Sequence, residues 1–170
     1  MLAAPFRSKK LFNLILRFDK SNINQVSITG VTALSLAVKY GCAENVKILL
    51  ENGADPVQFQ TKNGLNLFHL LAESYIAGSM VFEDFKSIFN LLATTKLDFN
   101  DETLGDQQNL YHLAALGHNI IPLVKFLAEN LEERCKNETD IYSHTSKSYL
   151  HLEDPRLIQL FDFCTRDFRN

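Results

Sequence analysis

Leu34, Ala37 and Val38 fall on one face of a helix, and after Gly41 a second apolar stripe follows in Val46, Leu49 and Leu50, again at helical spacing. Thr32 is a predicted N-cap, because its hydroxyl can accept a hydrogen bond from a first-turn amide that has no partner within the helix. Gly41 and Gly53 are predicted helix stops, since the residue after a helix commonly needs positive φ, which glycine adopts without steric cost. Each helix is only a few turns long. Isolated helices that short are marginal in water, so the pair must be stabilised by packing against neighbours.

Neighbours of the same kind follow downstream. Gly64 stands 34 positions after Gly30 and opens "GLNLFHLLAES". "NLYHLAALGH" (Asn109 to His118) repeats the polar, apolar, His-Leu, Ala order, and "SYLHL" (Ser148 to Leu152) is a faint last copy. Second-helix stripes recur as Ile88, Leu91, Leu92 and as Val124, Leu127. A hairpin that cannot bury its apolar face alone is thus expected to stack on others of its kind.

These residues resemble the ankyrin-repeat family, whose repeat of about 33 residues carries Thr-Pro-Leu-His, an Ala-Ala pair, Gly-His, Val-x-x-Leu-Leu and Gly-Ala-Asp in that order. Thr32-Ala33-Leu34-Ser35, Ala37, Gly41, Val46, Leu49-Leu50 and Gly53-Ala54-Asp55 match it in register. Gly64, His69, Ala72, Ile88 and Leu91-Leu92 carry the second copy, with the helices roughly eight residues further apart than the family spacing. His112, Ala114-Ala115, Gly117-His118, Val124 and Leu127 carry the third, with Gln107 where a glycine is expected.

The resemblance implies an all-α ankyrin-repeat solenoid of stacked helix hairpins with projecting finger loops. It divides the chain into an N-terminal half-repeat cap with a basic face (1–29), repeats over 30–63, 64–106 and 107–140, and a degenerate C-terminal repeat or cap over 141–170. Within the first segment Leu11 to Asn24 resembles a second helix, with "NIN" (Asn22 to Asn24) in place of Asp-Val-Asn.

Composition narrows the function. A chain of 170 residues with 46% hydrophobic content can bury one domain's core. A net charge of −3 and a pI near 5.9 argue against a nucleic-acid binder, which would carry a concentrated basic face. Cys42, Cys135 and Cys164 are odd in number and lack C-x-x-C spacing, which fits a reducing compartment. The basic stretch to Lys20 has an apolar run, Leu11 to Leu16, too short for a membrane span, and no secretory cleavage pattern follows it. Such a stretch reads as a capping helix, with a mitochondrial transit peptide as the alternative. The sequon at Asn137 would matter only in a secreted protein. A monomeric cytoplasmic protein is expected, with the nucleus as a second location.

No catalytic residue, metal site or cofactor is expected. His69, His112 and His151 occupy one equivalent repeat position, so each sits on a different hairpin, separated by roughly 8–10 Å of packed helices. Zinc ligands need bonds near 2 Å. His118 and His144 complete the set, and Cys135 with His144 has no orienting group or oxyanion-hole motif beside it. The glycines are spaced as stops and turns and not as a phosphate loop. The histidines are expected to hydrogen-bond the adjoining turn.

Function then falls to surfaces. The finger "VQFQTKN" offers Gln58, Phe59, Gln60 and Lys62, with Phe59 either an interface anchor or packed along the hairpin row. The next finger offers Asp98, Asp101, Glu102 and Asp106, which would complement a basic partner segment. "YIAGSMVFEDF" (Tyr75 to Phe85) reads as an inserted loop exposing apolar residues near Gly78. The expected function is non-catalytic binding of a partner protein through the concave face. The alternatives are a viral or pathogen-encoded regulator similar to the inhibitor of NF-κB, acting in the host cytoplasm, and a substrate-recruiting adaptor subunit.

Overall fold

A computed structural model describes residues 22–59, 61, 64–98, 108–115 and 120–130. Its helices are α1 (Ala33–Lys39), α2 (Ala43–Glu51), α3 (Leu67–Ile76), α4 (Phe82–Ala93), α5 (Leu110–Ala115) and α6 (Ile120–Asn130), with a 3-10 turn at Pro56–Gln58 between α2 and α3. No strand occurs among the described residues. The chain divides into two units, Met1–Asp98 and Phe99–Asn170. In the first, α1 pairs with α2, α3 with α4, α1 packs on α3 and α2 on α4, so two hairpins stack with like helices side by side. In the second, α5 pairs with α6.

The stripes read from the sequence are the core. Leu34, Ala37, Val38, Val46 and Leu49 are buried in the first hairpin, Ile88 and Leu92 in the second, and Val124 and Leu127 in the third. Leu50 and Leu91 lie at the margin, half-buried. Thr32 caps α1 as expected: its Oγ1 accepts from Ser35 N at 3.0 Å, and Ser35 Oγ accepts from Thr32 N at 3.0 Å. Gly41 and Gly53 take φ of 65° and 90° past the ends of α1 and α2.

The second hairpin corrects the expectation of an inserted loop over Tyr75 to Phe85. α3 has 10 residues where α1 has 7, and α4 has 12 where α2 has 9. The connection lengthens only from residues 40–42 to 77–81, so most of the extra chain is helix. Tyr75 and Ile76 are the last turn of α3, and Phe82 to Phe85 the first turn of α4.

The added turns are stabilised by aromatic packing. Tyr75 lies 5.6 Å from Phe82 and 5.3 Å from Phe85 between ring centroids, and Phe82 stacks on Phe85 at 5.9 Å. Phe85, Phe89 and Phe68 continue the chain into the core at 6.1 and 5.0 Å. Such contacts are worth about 0.5–1.5 kcal/mol each beyond the area they bury. Of the apolar residues expected to be exposed there, Met80 is instead buried and Val81 is 64% exposed. Met80 lies against Gly41 of the first hairpin, so closely that a Cβ on Gly41 would stand 2.5 Å from Met80 Cβ.

The basic stretch to Lys20, Gln60, Lys62, Asp101, Glu102, Asp106, Gln107, Gly117, His118 and the 141–170 cap, with Cys135, Cys164, His144 and His151, lie outside the described residues.

Candidate functional site

The finger between residues 24 and 32 is built around Ser27. Its N–H donates to Val31 O at 2.9 Å, and its carbonyl accepts from Gly30 N at 3.0 Å. Its Oγ accepts from Thr29 N at 3.3 Å and from Val31 N at 3.0 Å. Gly30 turns the chain at φ 79°. Such side-chain hydrogen bonds to a nearby backbone stand in for turn hydrogen bonds and fix the loop locally. Thr61 repeats the device in the next finger, pairing with Leu65 O at 3.2 Å and accepting from Leu65 N through Oγ1 at 3.0 Å.

Held on the first turn, Ile28 is fully exposed, and Val26 beside it is 42% exposed. Val57, at the start of the next finger, is 53% exposed. No charged residue stands between Lys20 and Lys39. Sequence reasoning passed over Ile28, because an isolated apolar residue in a loop gives no periodicity. Its one signal was the Ser-x-x-Gly turn around it.

Asn24 fastens this finger to the first hairpin. Its Nδ2 donates to Gly53 O at 3.0 Å and its Oδ1 accepts from Asp55 N at 2.7 Å. Asp55 in turn caps the 3-10 turn, accepting from Val57 N at 3.1 Å and from Gln58 Nε2 at 3.4 Å. Gln58 is exposed, whereas Phe59 is only 7% exposed, so its ring packs within the array and is not offered as an anchor. Asp98 is exposed, and its carbonyl accepts from Asn66 Nδ2 at 3.3 Å.

His69 and His112 are buried to the same degree as the apolar core. Each ring caps its own helix. His69 Nδ1 lies 3.3 Å from Asn66 N and 2.9 Å from Asn66 Oδ1, while that oxygen accepts from Phe68 N and His69 N at 2.9 and 3.2 Å. Asn109 and His112 repeat the arrangement at 3.2 and 2.9 Å. They are thus a histidine version of the Thr32 and Ser35 box.

At the opposite end of the first two helix pairs, one open recess of about 310 Å³ is lined by Gly41 to Asn45 and by Asp84. No group of three or more His, Cys, Asp or Glu among the described residues could hold a metal. Tyr40 and Val81 are exposed at this edge. Nearby, burial pushes the Glu73 carboxyl and the Tyr75 phenol above their ordinary values. Lys86 bridges to Glu83 at 2.8 Å and lies over the Phe82 ring at 5.3 Å.

Residues 1–80 match the family model of ankyrin repeats, in three copies. Residues 1–80 carry ankyrin repeats. The match stops just before the lengthened α4, and the hairpin of α5 and α6, outside it, has the same Asn-His cap as α3. Ankyrin repeats are generally protein-interaction modules without catalysis. No curated protein matches the chain. No helix among the described residues is long and apolar enough to cross a membrane.

Proposed function

We propose that this chain binds a partner protein through its fingers, with Ile28 as the apolar contact of the first. The full exposure of Ile28 on a turn pinned by Ser27 carries the reading. A large apolar side chain in water on a preorganised loop costs little further entropy when a partner covers it. Because the stretch around it is uncharged, the complementary surface is an apolar pocket. The acidic residues Asp98, Asp101, Glu102 and Asp106 extend the partner's chemistry to basic side chains, which would speed encounter.

Affinity purification of the full chain with identification by mass spectrometry tests this, with Ile28→Asp and Val81→Asp as paired baits. A partner retained by the parent and by Val81→Asp but lost with Ile28→Asp is the expected result. A partner lost with Val81→Asp and kept by Ile28→Asp would place binding on the helix-hairpin edge and sink the reading.

A further inference from the structure

The end of α2 holds a chemistry that binding does not use. Asn52 is followed by Gly53, the dipeptide in which succinimide closure is least hindered, because glycine has no side chain to crowd its own nitrogen. We propose that Asn52 and Gly53 form a self-modifying site at which Asn52 loses ammonia, and that the helix end and the Asn24 clasp hold this reaction off while the first repeat is closed.

In the reaction the Gly53 backbone nitrogen, having lost its proton to solvent base, attacks Asn52 Cγ. A C–N bond forms, the bond from Cγ to Nδ2 breaks, and Nδ2 leaves as ammonia after taking up a proton. Water then opens the five-membered imide at either carbonyl, leaving aspartate or isoaspartate at position 52. No other reactant is needed.

In the folded chain every participant is occupied. Gly53 N donates to Leu50 O at 3.1 Å, and Asn52 Nδ2, half-buried, donates to Ile48 O at 2.8 Å. Asn52 has φ −99° and ψ 10°, which eclipses the Gly53 nitrogen with Asn52's own nitrogen. To reach Cγ that nitrogen must swing round to the Cβ side, roughly a third of a turn about Cα–C given the near-tetrahedral geometry there. The Gly53 carbonyl cannot follow, since Asn24 Nδ2 holds it from the finger at 3.0 Å while Asn24 Oδ1 holds Asp55 N at 2.7 Å. Closure therefore waits on local opening, the rate of which is set by the stability of this segment alone.

The product holds the closed form less well. Aspartate at 52 has no amide hydrogen to give Ile48 O, and its charge stands at the negative end of the helix dipole. Isoaspartate adds a methylene to the main chain between Asn24's two anchor points and the helix. Conversion is thus a one-way record of how often the first repeat has opened.

The full chain is incubated in mildly alkaline buffer and position 52 is followed by peptide mapping and isoaspartyl methylation, in native buffer, in urea and as the Asn24→Ala variant. Conversion many-fold faster in urea than in native buffer is expected, with folded Asn24→Ala several-fold faster than the parent. Equal rates in urea and native buffer would overturn the proposal, as would an inert position 52 in urea. A folded Asn24→Ala, checked by circular dichroism, that converts no faster than the parent would overturn the role of the clasp. If Asn24→Ala does not fold, the parent's conversion across urea concentrations below its unfolding midpoint decides: a rise there supports gating by local opening, and a flat rate contradicts it.

Discussion

The first and second hairpins of the chain are built on one plan with different middles. Both begin at a cap whose side chain and whose third successor bond each other's backbone, Thr32 with Ser35 and Asn66 with His69. Both follow a turn closed by a positive-φ glycine, Gly30 and Gly64. Between those fixed points the second adds about a turn's worth of residues to each helix and fills the added space with Tyr75, Phe82 and Phe85, a cluster the shorter first hairpin lacks room for. The repeat is specified at its ends. Its middle can lengthen as long as the new residues bury one another.

The largest effects should come from the two cores. Phe89→Ala should cost about 3–5 kcal/mol and Leu49→Ala about 2–5 kcal/mol in urea melts, through lost burial and the cavity left behind. Since total stability of a domain is only about 5–15 kcal/mol, either is severe. A melt unmoved by Phe89→Ala would show that the aromatic chain does not support the longer hairpin. Next, His69→Ala should lose about 1–3 kcal/mol by leaving Asn66 N–H buried without its acceptor. His69→Ser, which copies the first hairpin's box, should recover part of that loss. If serine is no better than alanine, the two boxes are not equivalent.

Smaller effects separate the glycines. Gly53→Ala meets no atom within 4 Å, so it should cost only the left-handed strain of about 1–2 kcal/mol. Gly41→Ala carries the same strain and also drives into Met80, so it should cost more, and Met80→Ala in the same chain should relieve the excess. Equal costs for both glycines would mean that the two hairpins do not meet at Met80. Smallest is a pH effect: burial raises the Tyr75 phenol, so the folded chain keeps that proton longer than the unfolded chain. Stability should be intact below the ordinary tyrosine value of about 10 and fall as pH rises through it toward the raised folded value. Tyr75→Phe should flatten that alkaline decline in thermal melts.

The parts legible in the sequence are those fixed by local chemistry. Thr32, Gly41, Gly53 and the Leu49 stripe each declare a cap, a stop or a face within a few residues. From sequence alone Tyr75 to Phe85 reads as an inserted loop, since Gly78 interrupts a run of aromatic and apolar residues whose burial depends on one another. Only in three dimensions do Tyr75, Phe82 and Phe85 meet. Asn66 and Asn109 escaped notice as caps because the family signature has threonine there, although asparagine caps equally well. Phe59 could be placed inside or outside by sequence alone, since one aromatic residue in a finger has no period. For Ile28 the usual inference from hydrophobicity to burial points the wrong way.

The central claim is that the fingers, and not the helix-hairpin edge, meet the partner. A photo-crosslinking amino acid placed in turn at position 28 and at position 81 of the full chain, irradiated in lysate and resolved by mass spectrometry, tests it directly. Both positions are exposed, so both probes sample solvent alike. The account predicts a discrete protein adduct from position 28, suppressed by excess unlabelled parent chain, and none from position 81. A competable adduct from position 81 with none from position 28 would contradict it.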